Sequence, residues 1–114
     1  MNWHHVLAYF FGGAVLANSL PHIGNGVSGR AFQSPFAKPP GRGLSSSTVN
    51  VLWGFFNLLV AWLLLARIGS FDLRSPECVL AGGGGMLAMA LMLAHGFGRF
   101  HGGAGVSARS GNPQ

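Results

Sequence analysis

The chain has 114 residues, of which 49% are hydrophobic and only 8% are Asp, Glu, Lys or Arg. Soluble domains carry about 25% charged residues, so this composition excludes an ordinary soluble domain. The formal net charge is +5, but the basic residues stand singly, without the clusters typical of nucleic-acid binding, so we expect no nucleic-acid partner. The single cysteine, Cys78, excludes an internal disulfide.

Three apolar stretches predict transmembrane helices at about residues 3–20, 49–68 and 79–97. A helix needs about 20 mainly apolar residues to cross the roughly 30 Å hydrocarbon core of a bilayer. The first stretch is not preceded by the basic residues of a secretory signal, so we expect it to be retained. A short connection, residues 69–75, predicts that the second and third helices are antiparallel neighbours. The expected fold class is all-α integral membrane, as a single domain over residues 1–114.

The connection between the first two helices, residues 21–47, is long and rich in Gly and Pro, which argues against regular helix or strand. Pro21 is placed just after the first helix, where it would remove no helical hydrogen bond. The segments 18–22 and 34–41 are motif-like but indicate no particular activity. We expect the tail, residues 102–114, to be flexible.

Basic residues suggest how the chain is oriented. An extracytoplasmic N-terminus places five Lys and Arg residues on the cytoplasmic side and two outside, which the positive-inside rule favours. We therefore predict a multi-pass protein of a bacterial inner membrane, with its N-terminus outside and its C-terminus in the cytoplasm. In this orientation Arg30, Lys38 and Arg42 of the long loop would attract anionic lipid.

Small residues recur on all three predicted helices. Lipid tails give apolar helices no hydrophobic reason to associate, so membrane helices use small residues for close approach. The leading hypothesis is a non-catalytic membrane protein that forms a homo-oligomer or packs as a subunit of a larger membrane complex. The candidate packing residues are Gly12, Gly13, Ala17, Gly54, Ala61, Gly84, Gly85 and Ala88.

Polar residues within apolar helices are rare and are candidates for function, although asparagines also serve as interhelical hydrogen-bonding groups. The candidate ligand-binding or pore-lining residues are Asn18, His22, Asn50, Asn57 and His95. An alternative hypothesis is therefore the binding or passage of a small solute or ion through an oligomer, lined by Asn50, Asn57 and His95.

A second alternative is a subunit that binds haem or a metal such as copper, with His22 and His95 as weak candidate ligands. The leading hypothesis includes no cofactor and no metal. No catalytic residue is predicted, because the chain has only two carboxylates, Asp72 and Glu77, both in or beside the short connection. None of the familiar catalytic or phosphate-binding motifs occurs.

Overall fold

The computed structural model describes residues 2–105, which are mostly helical. The long helices are α1 (Trp3–Val27), α2 (Ser47–Trp62) and α3 (Pro76–His101). Helix α2 continues without a break into a π-helical segment, Leu63–Ile68, and with this segment included all three helices are long and apolar enough to cross a membrane. In the loop that connects α1 to α2, two short strands, β1 (Phe32–Gln33) and β2 (Leu44–Ser45), pair antiparallel. Gly103–Gly105 form one 3-10 turn after α3. Of the predicted tail, residues 106–114 lie outside the described residues.

Each long helix begins at a residue whose side chain caps it. The Asn2 side chain accepts a hydrogen bond from the His4 amide at 2.9 Å, and Ser46 accepts one from the Val49 amide at 3.1 Å. Ser75 caps α3 in the same way, and proline follows at the first helical position. These side chains satisfy N–H groups that have no acceptor within the helix, so the helix starts follow from local sequence.

Helix α1 is longer than the sequence predicts, because it passes through Pro21 and ends at Val27. Proline lacks the N–H that would bond to the carbonyl of Ala17, so one helical hydrogen bond is missing there. Membrane-type helices tolerate such a loss. The Asn25 side chain donates to the Pro21 carbonyl at 2.8 Å, which adds a contact in the next turn but does not replace the missing bond to Ala17. The polar segment that was predicted to be loop, residues 21–27, is therefore helical.

Helix α1 packs against both other helices, and α2 and α3 are not packed against each other to any comparable extent. The expectation that the short connection makes α2 and α3 close neighbours is therefore wrong. The connection instead wraps around the first half of α1, where the Ser70 amide donates to the Tyr9 hydroxyl at 3.1 Å. Phe71 packs edge-on against the same tyrosine ring, with centroids 5.7 Å apart.

Glycines set the closeness of these contacts. Gly13 lies directly against the backbone of Gly82, and Gly85 lies against the carbonyl of Phe10, so a side chain at Gly13 or Gly85 would overlap backbone atoms. On the other side of α1, Gly54 of α2 receives the side chain of Ile23. Of the other residues predicted to pack, Gly12 lies against the π-helical segment, and Ala17 and Ala61 are buried.

The other two residues of α3 that were predicted to pack, Gly84 and Ala88, face outward. No heavy atom lies within 4 Å of the position a side chain would take at Gly84, and Ala88 is exposed. Leu91 and His95, which continue this row along α3, are exposed as well. The three helices therefore use only part of their small-residue surface to pack against one another.

Candidate functional site

Asn50 ties the long loop to the helices. Its side chain is fully buried, with 0% of its surface exposed. The side-chain nitrogen directs its two hydrogens toward three backbone carbonyls, those of Phe32 at 3.1 Å, Ser45 at 3.2 Å and Ser46 at 3.0 Å, so one hydrogen is shared between two of them. Since the first two carbonyls belong to β1 and β2, one amide group at the first turn of α2 holds both strands. A buried amide with these contacts determines where the loop lies.

His22 lies beside Asn50 and is only 2% exposed. Its Nδ1 is 2.8 Å from the Asn50 side-chain oxygen. Because the Asn50 nitrogen is committed to carbonyl groups, its oxygen must accept, so Nδ1 carries the hydrogen. In the neutral imidazole Nε2 is then an acceptor, and among residues 2–105 it has no hydrogen-bond partner.

Aromatic rings surround the His22 imidazole. Phe32, Trp53 and Phe97 each meet it nearly edge to face, with ring centroids 5.6, 6.3 and 6.1 Å away. These rings come from the loop, α2 and α3, so all parts of the fold contribute to holding the imidazole. The ring is therefore fixed in both position and tautomer.

A second polar pair lies deeper between α1 and α2. The Asn18 side-chain nitrogen donates to the Asn57 side-chain oxygen at 3.0 Å, and the Asn57 nitrogen donates to the Trp53 carbonyl at 2.8 Å. This is the geometry of an interhelical hydrogen bond. It joins the two helices on the face that also carries Asn50 and Gly54.

The loop contributes polar groups that the sequence did not single out. The hydroxyls of Ser34 and Ser45 are 2.5 Å apart, and the Gln33 side-chain oxygen is 2.8 Å from Nε2 of His101 at the end of α3. The His101 ring also stacks on Phe32, with centroids 5.1 Å apart. Of these residues, only Ser34 belongs to a segment that the sequence marked as motif-like, residues 34–41. That pattern did not predict the contact with Ser45 or the contact between Gln33 and His101.

These groups surround a cavity of about 260 Å³ beneath the loop. Its size is slightly below the range usual for small-molecule sites. Beside it, the indole nitrogen of Trp53 is buried without an acceptor among the described residues. The lining includes Asn18, His22, Gln33, Ser34, Trp53 and Phe97.

His95 does not join this cluster. Its side chain is exposed on the outward face of α3, whereas Asn50 and Asn57 are buried against α1. The three residues proposed to line a pore therefore do not share one surface of a single chain. His22 and His95, the weak candidate metal ligands, do not share a surface either. Residues 2–105 contain no group of three or more His, Cys, Asp or Glu side chains placed to hold a metal ion.

The comparisons with known proteins add no further constraint on the site. No protein-family model, no curated protein and no solved structure matches the chain.

Proposed function

We propose that this chain is an integral membrane protein that crosses the bilayer three times. Three helices of 25, 22 and 26 residues support this, as do the large apolar side chains exposed on their outer surfaces. In water such extensive exposed apolar surface would be costly, whereas lipid accommodates it.

The loop end of the bundle, formed by the long loop and the adjoining ends of α1, α2 and α3, faces the cytoplasm in this proposal. It carries Arg30, Lys38, Arg42 and Arg99, whereas both carboxylates lie at the opposite end. This distribution follows the positive-inside rule. A membrane-impermeant thiol reagent should label Lys38→Cys from the cytoplasmic side and Arg74→Cys from outside, both in a Cys78→Ser background. The reverse pattern would contradict the orientation.

The function that the geometry supports best is the binding of a small molecule with a hydrogen-bond donor in the cavity beneath the loop. The observation that carries this proposal is His22, a buried imidazole oriented by Asn50 with an unused acceptor at Nε2. Nε2 retains accessible surface, unlike the enclosed indole nitrogen of Trp53, so a donor group can reach it. A ligand that donates a hydrogen bond to Nε2 would use this free acceptor.

The proposed role is binding rather than catalysis. Both carboxylates of the chain lie at the far end of the bundle, so the cavity offers no acidic side chain to work with His22. The surface of the cavity is mainly apolar, and Asn18, Gln33 and Ser34 already bond to other protein groups, so the lining suits a compact molecule of a few heavy atoms with one hydrogen-bond donor for His22.

Native mass spectrometry of the protein released gently from its own membrane tests this proposal. The wild-type chain should retain a small additional mass, and His22→Gln should lose it while still offering Asn50 a donor. His4→Gln, at an exposed histidine, is the matched control and should retain the mass. A wild-type chain without added mass, or equal retention by His22→Gln, would overturn the assignment.

A second candidate function is assembly through the outward face of α3. Its support is the open space beside Gly83 and Gly84, together with the exposure of Ala88. Such a face allows another helix to approach closely, either in a second copy of the chain or in another membrane subunit.

Cysteine cross-linking in the membrane tests the assembly proposal for a second copy. In a Cys78→Ser background, Gly84→Cys should form a disulfide-linked dimer on mild oxidation. Phe55→Cys, exposed on the outer side of α2, is the control and should not cross-link. Equal cross-linking at both positions would indicate random collision and would count against a specific homo-oligomer.

A further inference from the structure

A groove separates the loop-end halves of α1 and α3. The two helices are in close contact where Gly13 meets Gly82 and where Gly85 meets Phe10. Beyond that crossing they leave an apolar groove of about 550 Å³. On α3 the groove is lined in part by Ala90, Ala94 and Gly98, whose side chains are too small to fill it.

The groove has a polar end at the loop end of the bundle. On α1 its lining runs from Ala17 to Asn25, a distance of about 12 Å along the helix axis. Asn25 accepts a hydrogen bond from Nε of Arg30 at 3.1 Å. This contact holds an exposed guanidinium beside the mouth of the groove, with its terminal nitrogens available to a ligand. His101 lines the same end.

The charge of this end favours an anionic headgroup. Arg30, Lys38, Arg42 and Arg99 all belong to the loop end, and the only two carboxylates of the chain are Asp72 and Glu77 at the other end. Basic residues close to a membrane surface attract anionic lipid, and a guanidinium matches the geometry of a phosphate.

We infer that this groove binds one anionic phospholipid, with an acyl chain between α1 and α3 and its phosphate at Arg30. The apolar groove determines where the acyl chain lies. The basic residues determine which headgroup is preferred, because all phospholipids have similar acyl chains. The inference rests on the membrane insertion proposed above, but it does not depend on a ligand at His22.

Reconstitution into nanodiscs of equal parts phosphatidylglycerol and phosphatidylcholine, followed by native mass spectrometry, tests the inference. The wild-type chain should retain one phosphatidylglycerol in preference to phosphatidylcholine. Arg30→Gln should lower this preference about fivefold, the effect expected from one basic residue near the headgroup. Ala94→Phe should fill the groove and lower retention of both lipids, whereas Ala66→Phe, at an exposed alanine outside the groove, should not.

Equal retention of the two lipids by the wild-type chain would overturn the inference, as would an unchanged preference in Arg30→Gln. Retention by Ala94→Phe equal to that by Ala66→Phe would also overturn it. If Ala94→Phe fails to fold, Arg30→Gln still decides the matter because Arg30 is exposed. Neither Ala94 nor Arg30 lines the His22 cavity, so a negative result here leaves that assignment intact. Recovery of the chain in the soluble fraction after an alkaline carbonate wash would instead refute membrane insertion itself.

Discussion

Replacing Asn50 with leucine should release the long loop from the helices. Leucine has the same number of side-chain heavy atoms as asparagine, branched at the same position, so the change removes hydrogen bonds without leaving a cavity. The His22 Nδ1 donor and the carbonyls of Phe32 and Ser45 each lose a partner. The Ser46 carbonyl still accepts from the backbone amide of residue 50, at 3.0 Å in the wild-type chain.

The expected cost follows from these three groups. Leaving a buried polar group unpaired costs about 1–3 kcal/mol, and such costs are not fully additive. We expect the free energy of opening the loop to fall by about 3 kcal/mol, which raises the population of open loop about a hundredfold.

Asn57→Leu on the same helix face is the matched comparison. It breaks the interhelical bond to Asn18, and bonds of this kind contribute about 1 kcal/mol in membrane helices. It leaves the contacts between Asn50 and the loop in place. Even if the whole loss of about 1 kcal/mol acted on the loop, the population of open loop would increase only about fivefold.

Tryptic cleavage of the loop in detergent-solubilised protein measures these populations. The sites at Arg30 and Arg42 lie in the loop, just before β1 and just before β2, and cleavage follows the open population when closing is faster than proteolysis. Asn50→Leu should be cut far faster than Asn57→Leu. If the two variants are cleaved at similar rates, or Asn50→Leu is as resistant as the wild type, Asn50 does not anchor the loop.

Three further predictions concern the helices. Gly85→Leu should destabilise the fold by about 2 kcal/mol or more, because its side chain would overlap a carbonyl of α1. Gly84→Leu is the control, because the added side chain meets open space. Equal unfolding midpoints of the two variants in an SDS titration would contradict this prediction. Tyr9→Phe removes the acceptor of the Ser70 amide and should lower the free energy of opening the connection between α2 and α3 by about 1 kcal/mol. Hydrogen exchange in this connection should become faster, and unchanged exchange would show that the bond does not stabilise it. Ser75→Ala removes the cap of α3 and should lower the SDS midpoint by an amount equivalent to about 1 kcal/mol, and an unaltered midpoint would refute the role of the cap.

Part of the candidate site could be predicted from residue type alone. Asn18, His22, Asn50 and Asn57 stand out because polar groups are rare in apolar helices, and they meet in two hydrogen-bonded pairs. The same criterion also selected His95, which lies on the outward face of α3. Rarity identifies polar residues but carries no information on the direction in which each one faces.

The loop residues of the site could not be predicted in this way. Gln33 and His101 are 68 positions apart in sequence, and nothing local indicates that their side chains meet. Ser34 and Ser45 come together only because the two short strands pair. Each contact depends on where Asn50 holds the loop, which is a property of the folded chain.

The sequence by itself determined three long apolar helices, because hydropathy and length act over neighbouring residues, although α2 and α3 begin at Ser47 and Pro76, two and three residues before the predicted starts. It also determined the buried stripe of α2 at Asn50, Gly54, Asn57 and Ala61, since helical spacing places these residues on one face. Only the tertiary structure decided that α1 continues through Pro21, that α1 lies between α2 and α3, and that Gly85 is buried while Gly84 is not. These outcomes depend on which surfaces fit closest together, and close packing is decided by all three helices at once.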